Sequence, residues 1–387
     1  MTPIVVVAFN RKASLERLLG FINNASYPST DIPLIISIDK GNNQDVIDVA
    51  YAFEWSYGEK QVITHEENLG LRRHIIKCAS MSEKYGSVII LEDDLIVSPN
   101  FYNYTQQALK FSKDKDYIGG ISLYNHQVNV HTSDPFWPIE DGYDNWYFQF
   151  ASSWGEAWSW EQWRKFHVWY EENKNKDLRA YNYPAYVAAW SAKSWLKYYI
   201  KYLIETNRYF IYPRVSLSSN CSDKGEHACG EDNTAFQVPL LMSVKKTYDF
   251  SSLDASRAVY DAFYENQLLQ KTLLDEDVEV DLYGYKPIGE KRYILTSRAL
   301  DYKVVRSYSC SMRPHEANVQ YNQPGQDIFL YDTSETVKAT IDSKKLKHRQ
   351  NVYKFKIVKR HQAIEMFMNQ VHIDVMATLK KIRGRSK

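Results

Sequence analysis

Three consecutive acids, Glu92, Asp93 and Asp94, end an apolar run and give the sequence its strongest chemical signal. The run before them, "SVIIL", has the short length and β-branched composition of a buried strand. Adjacent carboxylates repel one another, so three in a row need either full solvation or a nearby cation. Carboxylate oxygens suit hard divalent cations, which commonly bridge protein acids and the phosphates of a ligand. The acids therefore predict a metal site for a phosphate-bearing ligand, with solvated strand-end acids as the simpler alternative.

The elements that must position these acids alternate between strands and helices. The apolar runs "PIVVVAFN", "PLIISID", "QVITH" and "SVIILE" are separated by helical stretches, the first with Ser14 as its predicted N-cap and the others over 44–57 and 71–85. Strands that are apolar on both faces are typical of a parallel sheet covered by helices. The pattern predicts the α/β class, with a mixed, mainly parallel, Rossmann-like sheet flanked by helices.

Polar residues gather where each of these strands ends. Asn10 and Arg11 follow the first strand, Asp39 ends the second, Asn68 follows the third, and the three acids end the fourth. In open α/β sheets, ligands bind outside the carboxyl ends of the strands. We therefore expect these residues to line one cleft.

The same strand ends carry a family resemblance. "VAFNR", the Asp that ends the second strand, "RRHIIKCA" and "EDDLIVSPNFYNY" resemble the glycosyltransferases of the GT-A fold, with a pattern nearest to the N-acetylglucosaminyltransferase I group. This likeness covers about the first 125 residues. "SSWGEAWSWEQWRKF" and "YPRVSLSSNCSDKGEH" are similar to stretches of bacterial glycosyltransferase-like proteins. The resemblance implies a GT-A fold with a C-terminal extension.

It also implies a function and a set of site residues. The expected activity is inverting, metal-dependent transfer of a sugar from a nucleotide sugar, with UDP favoured, to a glycan or lipid-linked acceptor in bacterial surface polysaccharide synthesis. Arg11 would contact the diphosphate, Asp39 the uracil, and His74 the nucleotide. The full nucleotide-sugar set is Phe9, Asn10, Arg11, Asp39, Asn68, Arg73, His74, Glu92 and Asp93, and the ligands of Mn²⁺ or Mg²⁺ are Asp94 and His227.

The catalytic base is the part of the family pattern that this chain lacks. An inverting transferase needs a carboxylate that removes the acceptor hydroxyl proton. In the family an Asp follows a Trp at this point, but here Trp190 is followed by Ser191 and Ala192. The nearest substitutes in chain order are Asp232, which we favour, Glu231, and Glu156 in a Trp-rich loop.

Two other functions fit the same residues. The missing carboxylate permits a non-catalytic sugar-nucleotide-binding or scaffold protein. A nucleotidyltransferase on a similar sheet is a second alternative, although the absence of glycine from "FNRKAS" disfavours it.

Seven of the ten tryptophans lie between Phe136 and Trp169; most are predicted to be core residues rather than sugar-stacking ones.

Composition and charge set the organisation of the chain. We predict a GT-A domain over 1–250, with a nucleotide-sugar half (1–125) and an acceptor half (126–250), an accessory segment over 251–342, and a basic helical tail over 343–387. The tail holds 13 Lys and Arg against 2 acids, which suits either an anionic membrane surface or solvent, whereas the acid-rich remainder disfavours nucleic acid. With no basic n-region or cleavage site at the start, and scattered cysteines that predict free thiols, we expect a cytoplasmic protein with peripheral membrane contact.

Overall fold

The computed structural model describes residues 1–221, 223, 236–273, 277–289, 291–355 and 358–384. The strands are β1 Ile4–Ala8, β2 Leu34–Ile38, β3 Lys60–Thr64, β4 Ser87–Glu92, β5 Leu95–Val97, β6 Ile118–Ser122, β7 Asn145–Phe148, β8 Glu156–Ser159, β9 Tyr209–Pro213, β10 Ser218–Asn220, β11 Val259–Tyr260, β12 Val278–Asp281, β13 Tyr293–Thr296, β14 Tyr302–Tyr308 and β15 Ile328–Thr336. The helices are α1 Lys12–Asn23, α2 Gln44–Ala52, α3 Gly70–Ala79, α4 Ser82–Tyr85, α5 Phe101–Ser112, α6 Trp160–Asn173, α7 Ala185–Ala188, α8 Leu196–Glu205, α9 Leu268–Leu273, α10 His315–Gln320, α11 Ser343–Phe355 and α12 Arg360–Gly384.

Nine of these strands form the central sheet, in the order β11-β7-β9-β6-β8-β4-β1-β2-β3. β1 runs parallel to both β2 and β4, and β2 runs parallel to β3. The antiparallel pairs are β4 with β8, β8 with β6, and β7 with β9. The predicted α/β class with a mixed, mainly parallel sheet is confirmed.

The strand directions define two edges of this sheet. We call the edge where β1, β2 and β4 end the acid edge, because Glu92, Asp93 and Asp94 lie there. β7 runs antiparallel to β9, which shares the direction of β4 through β6 and β8, and β11 runs parallel to β7. β7 and β11 therefore end at the opposite edge, which we call the far edge.

Helix α1 packs on the sheet through the apolar face that its sequence predicts, since Leu15, Leu18, Leu19 and Ile22 are all buried. The predicted N-cap at Ser14 is wrong, because α1 already begins at Lys12. Ser14 lies inside the first turn, and its hydroxyl donates to Asp223 Oδ2 at 2.7 Å. The hydroxyl thus connects the helix to a segment about two hundred residues later.

Two predicted helices are shorter than their apolar patterns. The stretch 44–57 is helical only to Ala52, because the chain turns extended at Phe53 and the Trp55 indole donates to the Ile32 carbonyl at 2.8 Å. The stretch 71–85 divides into α3 and α4 where Met81 N bonds to Cys78 O at 3.1 Å, a tighter turn than the α-helix allows.

Most of the Trp-rich segment is core, as predicted. Trp146, Trp158 and Trp163 are fully buried, and the Trp158 ring lies 5.0 Å from that of Trp163. Large aromatic side chains of this kind supply much of the apolar area that stabilises a core. The segment therefore holds the second half of the sheet together.

The C-terminal part adds a four-stranded sheet, β12-β13-β15-β14, with its own apolar core. It is tied to the central sheet where the Tyr260 hydroxyl bonds to Glu316 and the Lys286 ammonium lies 2.5 Å from Asp261. Strand β11 belongs to the central sheet, so the central sheet extends past residue 250. In the described part of the chain, none of the helices has both the length and the apolar character needed to cross a bilayer.

Candidate active site at the acid edge

Arg11 connects the ends of two neighbouring parallel strands. Its guanidinium donates to Asp94 Oδ2 at 2.9 Å and also pairs with Asp93 Oδ1. Asp93 is 2% exposed, and its other oxygen accepts a weak bond of 3.4 Å from the Phe9 amide. The structure thus brings Phe9, Arg11, Asp93 and Asp94 together, as the sequence predicts.

Positive charge is short in this cluster. Burial and the neighbouring Asp94 raise the pKa of Glu92 to about 8, against the opposing effect of Arg11. Burial also raises the pKa of Asp93 to about 6, although its bonds to Arg11 lower it. At pH 7 one guanidinium therefore does not keep all three acids ionised, and a further cation would favour their charged forms.

The donor chemistry of the cluster fits a divalent cation held jointly with a ligand. Among the described residues, no group of three or more His, Cys, Asp or Glu side chains is arranged to hold a metal by itself. Asp93 and Asp94 are nevertheless hard oxygen donors, and the Asp94 side chain remains 15% exposed. Mg²⁺ is commonly held by one or two carboxylates, with waters and substrate phosphates completing its shell. The cluster matches that mode.

Asp39 is buried and accepts three hydrogen bonds from backbone amides. Its Oδ1 accepts from Lys40 N at 2.9 Å and Leu69 N at 2.8 Å, and its Oδ2 accepts from Gly70 N at 2.9 Å. The carboxylate therefore caps the start of α3, where a negative charge is favourable. Asp39 thereby fixes the loop that carries Asn68 beside the end of β2.

The exposed predicted residues lie around that loop. The Asn68 amide donates to Lys40 O at 2.7 Å, and Arg73 folds back to donate to Asn68 O at 2.9 Å and Leu69 O at 2.7 Å. Asn10 is exposed just after β1. These side chains border the acid edge without contacting the acid cluster.

His74 belongs to a buried histidine pair beneath the loop. Its Nε2 lies 2.7 Å from the Ser37 hydroxyl, which also contacts His65 Nε2 at 3.1 Å. Burial lowers the pKa of His74 to about 4, so the ring is neutral at pH 7. At 2% exposure, His74 supports β2 and α3 rather than facing open solvent.

Three residues of the site escaped the sequence analysis. Asn43 donates to Asp39 O at 2.9 Å and also to Phe9 O, and so joins the ends of β1 and β2. His65 ends the predicted strand "QVITH" and completes the histidine pair. Asp223 accepts from Ser14 and pairs with Arg17. Asn43 and Asp223 lie in polar stretches that the sequence marks as loops, but only the fold shows their partners.

The late polar segment reaches the acid cluster through the backbone. Strand β10 pairs antiparallel with β5, directly after the acids, and Cys221 N donates to Asp94 O at 3.0 Å. Burial acts to raise the pKa of Asp223, the next described residue. Its hydrogen bonds with Arg17 and Ser14 nevertheless lower this pKa below its ordinary value. Glu231, Asp232 and His227 follow in the same segment but lie outside the described residues.

Glu156 occupies a different place from the one predicted. It begins strand β8 rather than lying in a loop, opposite Ile90 on one side and Ser122 on the other. It is fully buried, and neither carboxyl oxygen has a well-formed hydrogen bond within the described residues. Burial and the nearby Glu92 raise its pKa well above the ordinary range, which favours the protonated form of this carboxyl group.

Comparison with known proteins finds likeness in structure only. No protein-family model and no curated protein matches the sequence. Matching solved structures include the mannosyltransferase PcManGT from Pyrobaculum calidifontis in complex with GDP-Man and Mn²⁺, at 14% identity over 41% of this chain and 44% of that one, with a TM-score of 0.29. The S. aureus TarS 1–349 structure in complex with UDP-GlcNAc matches at 12% identity over 60% of this chain and 61% of that one, with a TM-score of 0.35.

A third match is mouse xyloside xylosyltransferase 1 in its apo form, at 12% identity over 54% of this chain and 84% of that one, with a TM-score of 0.35. Two of the three neighbours are named as glycosyltransferases, and this chain spans less than two thirds of the length of the first two. Likeness at this level carries no argument about substrate or mechanism, which depend on the residues of the site.

Proposed function

We propose that the chain is a metal-dependent glycosyltransferase that takes its sugar from a nucleotide sugar, with UDP as the favoured nucleotide. The observation that carries the proposal is the Arg11 guanidinium, which joins Asp93 and Asp94 across the carboxyl ends of neighbouring parallel strands. A planar guanidinium is suited to a diphosphate as well as to carboxylates. Acids and a guanidinium at one sheet edge supply both contacts that a metal-bound diphosphate needs.

Arg11 has two partners in this scheme. Without donor, it offsets part of the charge of Asp93 and Asp94. With donor, it contacts the diphosphate, while Asp94, together with His227, would hold Mn²⁺ or Mg²⁺. The metal would stabilise the negative charge that develops on the departing diphosphate. Arg11 would thus exchange its contacts with Asp93 and Asp94 for contacts with the diphosphate within the same cleft.

The nucleoside and sugar are assigned to the flanking residues. Asp39 and His74 border the proposed nucleoside subsite at the end of β2, with Asn10, Asn68 and Arg73 at its rim. Glu92, Asp93 and the Phe9 backbone would face the sugar diphosphate. Because the Asp39 carboxylate already caps α3, it would orient the loop as well as meet the base.

The base that removes the acceptor proton is proposed to be Asp232, with Glu231 as the alternative, in an inverting reaction. Glu156 is disfavoured, because it is fully buried and an acceptor hydroxyl cannot reach it. The segment that contains Asp232 follows β10 and Cys221, and the Cys221 amide donates to Asp94 O. That continuity supports placing the base near the donor.

The acceptor is proposed to be a glycan or lipid-linked saccharide of bacterial surface polysaccharide synthesis, and the transferred sugar a hexose or an N-acetylhexosamine. The basic tail supports a location at the cytoplasmic membrane face, since clustered Lys and Arg are attracted to anionic lipid. Sedimentation with anionic vesicles, compared between the full chain and a chain ending at residue 342, tests this contact. Equal binding of both chains would exclude the tail as the anchor.

Calorimetry with a panel of UDP-sugars and GDP-mannose, with and without Mn²⁺, tests the donor site. Wild type should bind one donor only in the presence of metal, and Asp94→Asn should weaken this binding by roughly 100-fold. Asp254→Asn, which changes an exposed surface acid, is the matched control and should bind as wild type does. Absence of donor binding in wild type would contradict the proposal.

Product analysis separates the two alternatives. Release of UDP with sugar transfer identifies a glycosyltransferase. Release of UMP or pyrophosphate would identify attack at the α-phosphate and favour a nucleotidyltransferase. Metal-dependent binding without any product would favour the non-catalytic scaffold.

A further inference from the structure

A second cavity lies at the far edge of the sheet. Its volume is about 280 Å³, and it opens between the residues that follow β7 and β11, the start of β9, and the loop after β12. Gln149 and Asp261 follow β7 and β11 directly, and Asn207 precedes β9. The full length of the strands therefore separates this cavity from the acid cluster.

One wall of the cavity is a network of carboxamides. Gln267 Nε2 donates to Gln149 Oε1 at 3.1 Å, and Gln149 Nε2 donates to Asn207 Oδ1 at 3.2 Å. Tyr209 OH lies 2.6 Å from Gln267 Oε1 and 3.1 Å from Asn207 Oδ1. These bonds fix the amide planes. Each NH₂ group has two donors, so the fixed amides retain donors for a ligand.

A buried ion pair forms another part of the cavity lining. Lys286, which is 8% exposed, lies 2.5 Å from Asp261 Oδ2 and 3.0 Å from Glu279 Oε1. Burial acts to lower the pKa of Lys286, but the two carboxylates raise it above its ordinary value, so the group is an ammonium. The wall therefore presents fixed acceptors and a fixed donor side by side.

Apolar and aromatic groups complete the lining. Phe263 and Ile204 lie in the cavity wall, and Tyr181, with 54% of its surface exposed, stands at the rim. Aromatic side chains suit the C–H faces of a sugar ring. A mainly polar cavity with a few apolar patches differs from the predominantly apolar pockets that bind lipophilic ligands.

We propose that this cavity is a binding site for one neutral saccharide unit, separate from the donor site. A sugar hydroxyl both donates and accepts, so adjacent hydroxyls match a lining that combines amide donors, carboxylates and an ammonium. The two carboxylates outnumber Lys286 and disfavour an anionic ligand, while the ammonium already occupies the place between them that a cation would take. The volume lies near the lower end for small-ligand pockets, which are roughly 300 to 1,000 Å³, and so suits a single ring.

The proposal is independent of the transferase assignment, because no residue of the acid edge takes part in it. Ligand-observed NMR with glucose, galactose, mannose and N-acetylglucosamine tests it directly on the full-length protein. We expect saturable binding of at least one of these sugars in the millimolar range, where single shallow sites bind. Saturation by none of them up to about 50 mM would overturn the proposal.

Two variants locate the binding. Asn182→Trp places a large ring at the exposed rim and should weaken sugar binding at least tenfold without burying a polar group. Asn207→Gly keeps the left-handed backbone, φ 49° at this position, removes one carboxamide and should also weaken binding. Asn24→Trp, at an exposed site outside the cavity, is the matched control for Asn182→Trp.

Asp94→Asn separates this site from the donor site. Sugar binding that survives Asp94→Asn and is lost in Asn182→Trp supports the far-edge cavity. Sugar binding that is lost in Asp94→Asn and survives Asn182→Trp belongs to the acid edge and overturns the proposal. Circular dichroism of each variant confirms that a loss of binding is not a loss of fold.

Discussion

The acid edge and the far edge both bury carboxylates beside one basic side chain, but they are balanced differently. At the acid edge, Arg11 faces three acids, and the pKa values of Glu92 and Asp93 are raised to about 8 and about 6. At the far edge, Lys286 sits between Asp261 and Glu279, and it is the pKa of the lysine that is raised. The first edge has three carboxyl groups for one guanidinium and suits a cation, whereas at the second the ammonium already lies between its two carboxylates, in the place that a cation would take, and the cavity suits a neutral ligand.

The largest effect is expected from breaking the ion pair of the far edge. Lys286→Met removes the ammonium and leaves Asp261 and Glu279 without their counter-charge in a mostly buried place. Loss of one partner from a buried pair typically destabilises a protein by about 3 to 5 kcal/mol. Urea denaturation should show this loss, with the exposed Lys338→Met as control. A loss of less than about 1 kcal/mol in the free energy of unfolding, which is typical of surface ion pairs, would contradict the description of this pair as buried and stabilising.

The next effect tests the role of Arg11 in the acid edge. Arg11→Ala should lower kcat/KM by about 100- to 1,000-fold, because removal of a group that stabilises transition-state charge typically has this cost. Arg11→Lys should recover only part of the activity, since an ammonium cannot join Asp93 and Asp94 in the same planar geometry. The exposed Arg257→Ala should leave kcat/KM unchanged. Equal activity of Arg11→Lys and wild type would show that Arg11 contributes only its positive charge and that its planar geometry is not needed.

A smaller effect should appear in the pH dependence of stability. The raised pKa of Glu92 means that its proton stabilises the folded state below about pH 4.5, and this contribution is lost as pH rises through about 8. Glu92→Gln cannot lose that proton. Relative to wild type, the variant should therefore gain on the order of 3 kcal/mol between pH 5 and pH 8. Denaturation curves at both pH values measure the gain. A difference in stability between the two proteins that does not change with pH would show that the pKa of Glu92 is not raised in the folded state.

The sequence was sufficient for the first half of the fold and for the acid cluster because those signals are local. β1, β2 and β4 are continuous apolar runs, and the polar residues at their ends fall together once the strands are parallel. β6, "IGGIS", carries a weaker signal. A Cβ at Gly120 would lie 2.6 Å from the Phe210 ring and from Trp158 Nε1, so its glycine is required by strands that come much later in the chain.

Residues with distant partners could not be predicted in the same way. Asp223 pairs with Arg17 from the opposite half of the chain, and no periodicity connects the two positions. Glu156 was expected in a loop because charged residues are rarely buried unless paired. Inside β8 the carboxyl group of Glu156 is buried, and this burial raises its pKa and favours the protonated form. That environment comes from the assembled sheet and cannot be inferred from the residues next to Glu156 in the sequence.

The smallest expected effect distinguishes support of the acid edge from direct contact with the ligand. Asp39→Asn keeps one oxygen that can accept from the amide of Leu69, but it replaces the oxygen that accepts from the amide of Gly70 with an NH₂ group and removes the negative charge at the start of α3. The charge is expected to contribute about 1 kcal/mol to stability. If Asp39 also meets the uracil, as proposed, KM for the UDP-sugar should rise about fivefold with kcat unchanged, because a contact made equally in the ground and transition states affects binding alone. An unchanged KM together with the loss of stability would assign Asp39 to the cap of α3 and leave recognition of the base to the exposed residues of the loop.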